Sequence, residues 1–99
     1  MRGNGEDRGG ERLRIEVPAD VAARPANFMV VTHSPFDFTL DFAQVLPAGG
    51  DTPRAMVTAR VVVSPQFVRR ILDTLQRNLA KYEETFGPVR RPTAEGEGE

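Results

Sequence analysis

The clearest signals in the chain lie in residues 64–88, SPQFVRRILDTLQRNLAKYEETFGP, which carry the start and the stop of one long helix. Ser64 can accept a hydrogen bond from a free amide of the first turn, and Pro65 already has the φ angle that the first helical position requires. Gly87 and Pro88 end the helix, because glycine takes the left-handed position after the last turn and proline blocks continuation. The pattern predicts a helix between Ser64 and Gly87.

The apolar residues of this helix recur at spacings that alternate between four and three. They are Val68, Leu72, Leu75, Leu79, Tyr82 and Phe86, and Phe67 and Ile71 widen the stripe that they form. A seven-residue repeat of this kind is what a seam between two paired helices requires. A helix that covers its own sheet has a similar stripe, so the sequence leaves both interpretations open.

The charges of the helix oppose its dipole. Arg69 and Arg70 lie near the positive N-terminal end, whereas Glu83 and Glu84 lie near the negative C-terminal end. Each placement costs roughly a few tenths of a kcal/mol. A second copy that runs antiparallel would bring these arginines beside these glutamates. We therefore expect a homodimer, or a larger assembly, with this helix at the interface.

Four runs of alternating or apolar residues precede the helix and predict strands. They cover residues 13–17, 27–33, 36–42 and about 54–63. In the last run, one face is expected to carry Ala55, Val57, Ala59, Val61 and Val63. The order of the elements predicts an α+β domain, with an antiparallel sheet of about four strands followed by one long C-terminal helix. The residues expected in the core or the interface are Phe28, Phe36, Phe38, Leu40, Phe42, Val57, Val61, Leu72, Leu75 and Leu79.

The two ends of the chain differ from its middle in composition. Residues 1–10 contain four glycines, and residues 90–99 contain no large apolar side chain. Neither end can bury enough apolar surface to offset the entropy of ordering it. We expect a disordered N-terminal tail over 1–10, one β-then-α domain over 11–89, and a disordered acidic tail over 90–99. A domain this short, with no cysteine, gains stability by burying surface against another copy.

Charge and hydropathy narrow the classes of partner. The chain has 99 residues and a formal net charge of −1, without the basic excess that is typical of nucleic-acid binders. The first residues lack the apolar segment of a signal peptide, and no apolar run reaches the about 20 residues that cross a bilayer. We therefore expect a cytoplasmic protein without a membrane partner.

The one histidine, His33, could contribute to either of two kinds of chemical site, a catalytic triad or a metal site. With Ser34 and Asp37 it could form a catalytic triad, but neighbouring strand residues point to opposite faces, and neither a nucleophile elbow nor an oxyanion loop is present. A metal site could also be built from His33, Asp37 and Asp41. A single histidine without any cysteine is weak support for such a site. We expect no enzyme activity, no cofactor and no metal.

Four arginines offer an alternative function. Arg54 and Arg60 lie on the last predicted strand, and Arg69 and Arg70 lie at the start of the helix, where anions are favoured. A nucleic-acid-binding accessory protein is therefore the alternative to the main hypothesis. The main hypothesis is a homo-oligomeric interaction module that acts as a scaffold, adaptor or regulator of another, unknown protein.

The segment NFMVVTHSPFDF, residues 27–38, resembles the opening of a small prokaryotic family of domains of unknown function, DUF3467. The likeness continues at Asp41-Phe42, Pro47, residues 60–65 (RVVVSP), Asn78, Tyr82-Glu83 and Phe86-Gly87. It covers most of residues 13–87 and leaves out both tails. The resemblance implies a stand-alone cytoplasmic protein of about this size, and it implies neither an activity nor functional residues.

Overall fold

The computed structural model describes residues 7–8, 11–47 and 52–91. Its elements are the strands β1 (Asp7–Arg8), β2 (Glu11–Arg12), β3 (Phe28–His33), β4 (Phe38–Leu46) and β5 (Arg54–Val63), and the helix α1 (Pro65–Phe86). β1 pairs with β2 in a separate ladder, while β3, β4 and β5 form an antiparallel sheet in that order. The prediction of an α+β fold, with an antiparallel sheet followed by one C-terminal helix, is confirmed. The sheet of the described residues has three strands rather than about four.

The strand predicted at residues 13–17 is wrong. Residues 13–18 have no regular structure, and Leu13, Ile15 and Val17 are 50%, 58% and 74% exposed. Alternation shows that a segment could bury one side, but a strand also needs a neighbour for its backbone hydrogen bonds. Within the described ranges, no strand pairs with this segment.

A tight turn at Ser34-Pro35 joins β3 to β4, between the predicted strands 27–33 and 36–42. The Ser34 amide donates to the carbonyl of Asp37 at 2.9 Å, and the Ser34 hydroxyl accepts from the amides of Phe36 and Asp37 at 3.0 and 3.2 Å. This turn places Phe36 at the tip of the hairpin, where it is 82% exposed. The strand predicted from Phe36 therefore begins two residues later, at Phe38, and Phe36 lies outside the chain's own core.

A one-residue bulge at Thr58 interrupts the pairing of β5 with β4. Ala59 lies opposite Phe42 and Val57 lies opposite Ala43, so Thr58 has no partner on β4. The Thr58 hydroxyl donates instead to the carbonyl of Phe42 at 3.2 Å. Because side chains alternate along a strand, one extra residue moves every residue beyond it to the other face of the sheet.

The bulge divides the apolar residues of β5 between the two faces. The Leu40 face carries Met29, Val31, Phe38, Leu40, Phe42, Ala59, Val61 and Val63. The Ala43 face carries Phe28, Val30, Ala43, Val45, Ala55, Val57 and Val62. The prediction that Ala55, Val57, Ala59, Val61 and Val63 share one face is therefore wrong, because alternation alone does not reveal a bulge.

One chain buries little of this apolar surface. Among the described residues, the buried apolar side chains are Leu40, 7% exposed, and Ala43, 1% exposed, one on each face of the sheet. The predicted core residues Phe28, Phe38 and Phe42 are half-buried. Two more predicted core residues, Val57 and Val61, are 50% and 45% exposed. Both faces of the sheet thus remain partly open.

The helix begins and ends where its capping residues predict. The Ser64 hydroxyl accepts from the amide of Phe67 at 3.1 Å, and Pro65 occupies the first turn. Gly87 follows the last turn with a φ of +98°, and its amide donates to the carbonyl of Glu83 at 2.9 Å. No residue of α1 is fully buried, so the sheet covers little of the helix.

The predicted tails fall largely on residues outside the described ranges. Residues 1–6, 9–10 and 92–99 lie there, as do residues 48–51 between β4 and β5. Inside the N-terminal segment, Asp7 pairs with Arg12 and Arg8 pairs with Glu11. The domain limits and the disorder of the tails stay predictions.

Candidate functional site

An apolar stripe runs along the exposed side of α1. We define the helix stripe as Val68, Leu72, Leu75, Leu79, Tyr82 and Phe86. Its three leucines are 52%, 63% and 47% exposed, and Val68 is half-buried at its N-terminal end. The rings of Tyr82 and Phe86 lie with their centroids 4.8 Å apart. An exposed contiguous apolar surface of this kind is typical of an interaction site.

The side of α1 that the chain itself shields lies beside the stripe. Ile71 and Thr74 are half-buried, and helical geometry of about 100° per residue puts both on one flank of the stripe. Arg69 and Gln76, on the other flank, are exposed. Most of the stripe, with Arg69 and Gln76 on its flank, is therefore open to a partner, whereas Glu83 on the same flank is half-buried.

The charges of α1 remain unmatched within the described chain. The ion pairs of the described residues are Arg14 with Glu16, before β3, and Arg60 with Asp41, in the sheet. Neither pair includes a residue of α1. The first turn has no acidic residue and the last turn has no basic one. Glu83 does accept the amide of Val89 through Oε2, at 2.9 Å. Arg69 and Arg70 thus still oppose the helix dipole, as do Glu83 and Glu84.

Helical geometry separates these four charged residues. Arg69 and Glu83 border the helix stripe on the same flank, whereas Arg70 and Glu84 lie nearly opposite the stripe. All four were expected at the interface, whereas Gln76, which lies between Arg69 and Glu83 on their flank, was not among the predicted interface residues. The seven-residue spacing of Arg69, Gln76 and Glu83 is the signal that identifies this flank.

The strongest polar contact of the sheet joins Asp41 and Arg60, which lie directly opposite each other on β4 and β5. Arg60 Nε donates to Asp41 Oδ1 at 2.7 Å, and Arg60 Nη2 donates to Asp41 Oδ2 at 3.0 Å. The Asp41 side chain is 13% exposed and the Arg60 side chain 65%. The hydrogen bonds from Arg60 lower the pKa of Asp41, and the same contact raises the pKa of Arg60.

The structure does not bring the four arginines of the alternative nucleic-acid site together. Arg54 pairs with Leu46 and lies on the opposite face of the sheet from Arg60, whose guanidinium is held by Asp41. Arg54 begins β5, whereas Arg69 and Arg70 follow its other end, and the ten residues of the strand span about 30 Å. Arg54 therefore lies apart from the two arginines of the helix.

The side chains around His33 do not form a triad. The His33 ring stacks on Phe38 with centroids 5.2 Å apart, and the Ser34 hydroxyl donates to Asp37 Oδ1 at 3.1 Å to close the turn. Asp41 lies on the other face of the sheet from His33. No group of three or more His, Cys, Asp or Glu side chains in the described ranges is placed to hold a metal ion.

The comparisons with known proteins identify a family. In the described part of the chain, no helix has the length and apolar character needed to cross a membrane. No curated protein and no solved structure matches the chain. The profile of the family described as "Protein of unknown function (DUF3467)" matches residues 2–91, so the likeness also includes N-terminal residues that were expected to lie outside it. Because this match covers most of the sequence, the chain belongs to the DUF3467 family of proteins of unknown function.

Proposed function

We propose that this chain is a non-enzymatic, homo-oligomeric interaction module, which binds a second copy through the helix stripe and acts as a scaffold, adaptor or regulator of another protein. The observation that carries the proposal is the exposure of the stripe, with Leu75 63% and Phe86 71% exposed. Burying a half-exposed leucine contributes about 1 kcal/mol. A second copy offers the same stripe and so covers it with matching apolar surface.

The small core supports the same proposal. Leu40 and Ala43 are the buried apolar side chains of the described residues, and a domain of this size without disulfides has few other sources of stability. Association removes apolar surface from water without any change of fold. The open faces of the sheet add to the surface that an assembly can cover.

The edge of β5 is less suited to self-association than the helix is. The Thr58 bulge interrupts the regular row of backbone groups that an added strand would need, and bulges are a common means of blunting edge strands. The Thr58 hydroxyl also reaches the carbonyl of Pro25 at 3.5 Å, so the segment before β3 lies close to the bulge. These features favour the helix stripe as the contact surface.

The test compares two variants of the full chain that introduce the same charge into α1. Leu75→Glu puts a carboxylate in the middle of the stripe, where burial against a partner leaves it uncompensated. Ala80→Glu puts a carboxylate on an exposed position away from the stripe. By light scattering, we expect the unmodified chain and Ala80→Glu to be dimers or larger, and Leu75→Glu to be monomeric.

Circular dichroism of the same samples distinguishes lost association from lost folding. The sheet signal should survive in Leu75→Glu, because the sheet covers little of the helix. An assembly that persists in Leu75→Glu would place the interface elsewhere, and monomers throughout would contradict the proposal. If all the chains are monomers, binding to DNA or RNA is the next measurement. Salt-sensitive binding that is lost in the double variant Arg69→Ala with Arg70→Ala would favour the alternative function.

A further inference from the structure

We infer that two copies of α1 pair antiparallel in one register, with Leu75 against the partner's Leu79 and Arg69 against the partner's Glu83. This inference rests on the proposed self-association and specifies its orientation. It follows from three features of the described helix, namely the spacing of the stripe, the charges of one flank and the side that the chain already shields.

The spacing of the helix stripe reads the same in both directions, as four, three, four, three and four. A second copy that runs antiparallel can therefore bring all six residues into layers at one register. The layers join Val68 to the partner's Phe86, Leu72 to the partner's Tyr82, and Leu75 to the partner's Leu79. Each outer layer combines a smaller side chain with a ring, which favours even filling of the seam. A parallel pair would instead place Phe86 against the partner's Phe86 and Val68 against the partner's Val68.

The charges of the Arg69 flank select the same orientation. Arg69, Gln76 and Glu83 follow one another at seven-residue intervals beside the stripe. In an antiparallel pair with a two-fold axis, this flank meets its own copy, so Arg69 faces the partner's Glu83 twice by symmetry. Gln76 then faces the partner's Gln76 near the axis. In a parallel pair the same flank meets the flank of Ile71, which offers Arg69 no carboxylate.

The antiparallel arrangement also relieves the conflict with the helix dipole. Arg69 near the N-terminal end of one helix comes to lie beside the C-terminal end of the other, where a positive charge is favourable. Arg69 has no ion pair within the described chain, and the hydrogen bond that Glu83 accepts from the Val89 amide uses Oε2, which leaves Oε1 for the partner's Arg69.

The chain's own shielding leaves most of this flank open. The half-buried Ile71 and Thr74 lie on the opposite flank of the stripe. On the Arg69 flank, Arg69 and Gln76 are exposed, and Glu83 is half-buried beside Val89. A second helix can therefore approach on the Arg69 side without displacing the sheet.

A charge exchange in the full chain tests the pairing. Arg69→Glu and Glu83→Arg should each raise the dissociation constant of the dimer about tenfold at low salt, since each creates two like-charge contacts. The double variant Arg69→Glu with Glu83→Arg should return the constant close to that of the unmodified chain. The matched controls Arg70→Glu and Glu84→Arg change the same charges on the opposite side of the helix, and we expect them to leave the constant unchanged.

Crosslinking tests the orientation separately. The chain contains no cysteine, so Gln76→Cys introduces a single thiol. A short bismaleimide should join two Gln76→Cys chains in the antiparallel pair, and it should not join Arg77→Cys chains, whose thiols lie away from the stripe. A stable dimer without the Gln76→Cys crosslink, or without rescue by the double charge exchange, would overturn this register and leave the proposed function standing. A monomeric unmodified chain would overturn both.

Discussion

Asp41 and Arg60 form the one cross-strand contact of the described sheet in which two charged side chains meet through two hydrogen bonds. Two parallel N–H···O bonds fix the guanidinium and the carboxylate in one plane, which gives such pairs more geometric specificity than a single contact. Asp41 is the better shielded of the two, on the face of the sheet opposite Leu40. The pair therefore fixes the register of β4 against β5 next to the bulge, and it occupies an arginine that could otherwise bind phosphate.

This contact predicts a pH-dependent contribution to stability. Because the pKa of Asp41 is lowered in the folded chain, chiefly by the hydrogen bond from Arg60, its contribution is complete above the unfolded value of about 4 and is lost as the pH falls through the folded value below it. Asp41→Asn should lower the urea midpoint at neutral pH, and the difference from the unmodified chain should shrink below about pH 4. Asp20→Asn, in an exposed turn, is the control. A difference that stays constant down to the lowest pH would contradict this assignment.

Among the elements, the helix was predictable almost to the residue and the sheet was not. Ser64 and Gly87 act on amides and carbonyls within one turn, so local sequence contains the whole signal for each end of α1. The bulge at Thr58 and the absence of a strand at residues 13–17 depend on pairing with distant residues. The alternation of apolar and polar residues does not show which residues pair. The same limit applies to the candidate site. Spacing identified the stripe but did not separate Arg69 and Glu83 from Arg70 and Glu84, and the exposure of Leu75 depends on how the helix leaves the sheet.

The first end of the helix gives a direct prediction. Ser64→Ala removes the oxygen that accepts the Phe67 amide and should lower the free energy of unfolding by about 1 kcal/mol. Ser64→Asp keeps an acceptor at the same position and should retain most of the stability. Urea unfolding followed by circular dichroism measures both variants. An equal loss in the two would show that the hydroxyl does not act as a cap.

At the C-terminal end of α1, glycine is required by the backbone conformation rather than by a lack of room for a side chain. Gly87 has φ +98° and ψ 171°, a region that is essentially restricted to glycine, and a Cβ added there meets no heavy atom within 4 Å. Gly87→Ala should therefore destabilise the chain by about 1–3 kcal/mol through backbone strain alone. The same unfolding measurement detects it. An unchanged midpoint would mean that the chain can leave this conformation at no cost.

On the scale of the whole molecule, the described ranges form a sheet that is partly open on both faces, joined to a helix that this sheet hardly covers. Leu40 and Ala43 mark how little a single chain buries, whereas the helix stripe and the tip residue Phe36 remain exposed. This distribution of apolar surface is the basis on which we propose self-association. Around His33, the described side chains close the hairpin turn and stack on Phe38.

Association should make stability depend on concentration. If the folded state is a dimer, Tm rises with protein concentration, because mass action favours the associated form. Leu75→Glu should lose this dependence and Ala80→Glu should keep it. Thermal unfolding at several concentrations measures the effect, and a Tm of the unmodified chain that is independent of concentration would argue for a folded monomer.

The mass of the unmodified full chain in solution is the first quantity to measure, by sedimentation equilibrium from low to high micromolar concentration and at low and high salt. We expect twice the mass of one chain, or a larger multiple, at both salt concentrations, because the seam is apolar and the flanking charges add a salt-sensitive part. The mass of a single chain under all these conditions would contradict a self-associating helix, and the stripe would then be a surface for another protein.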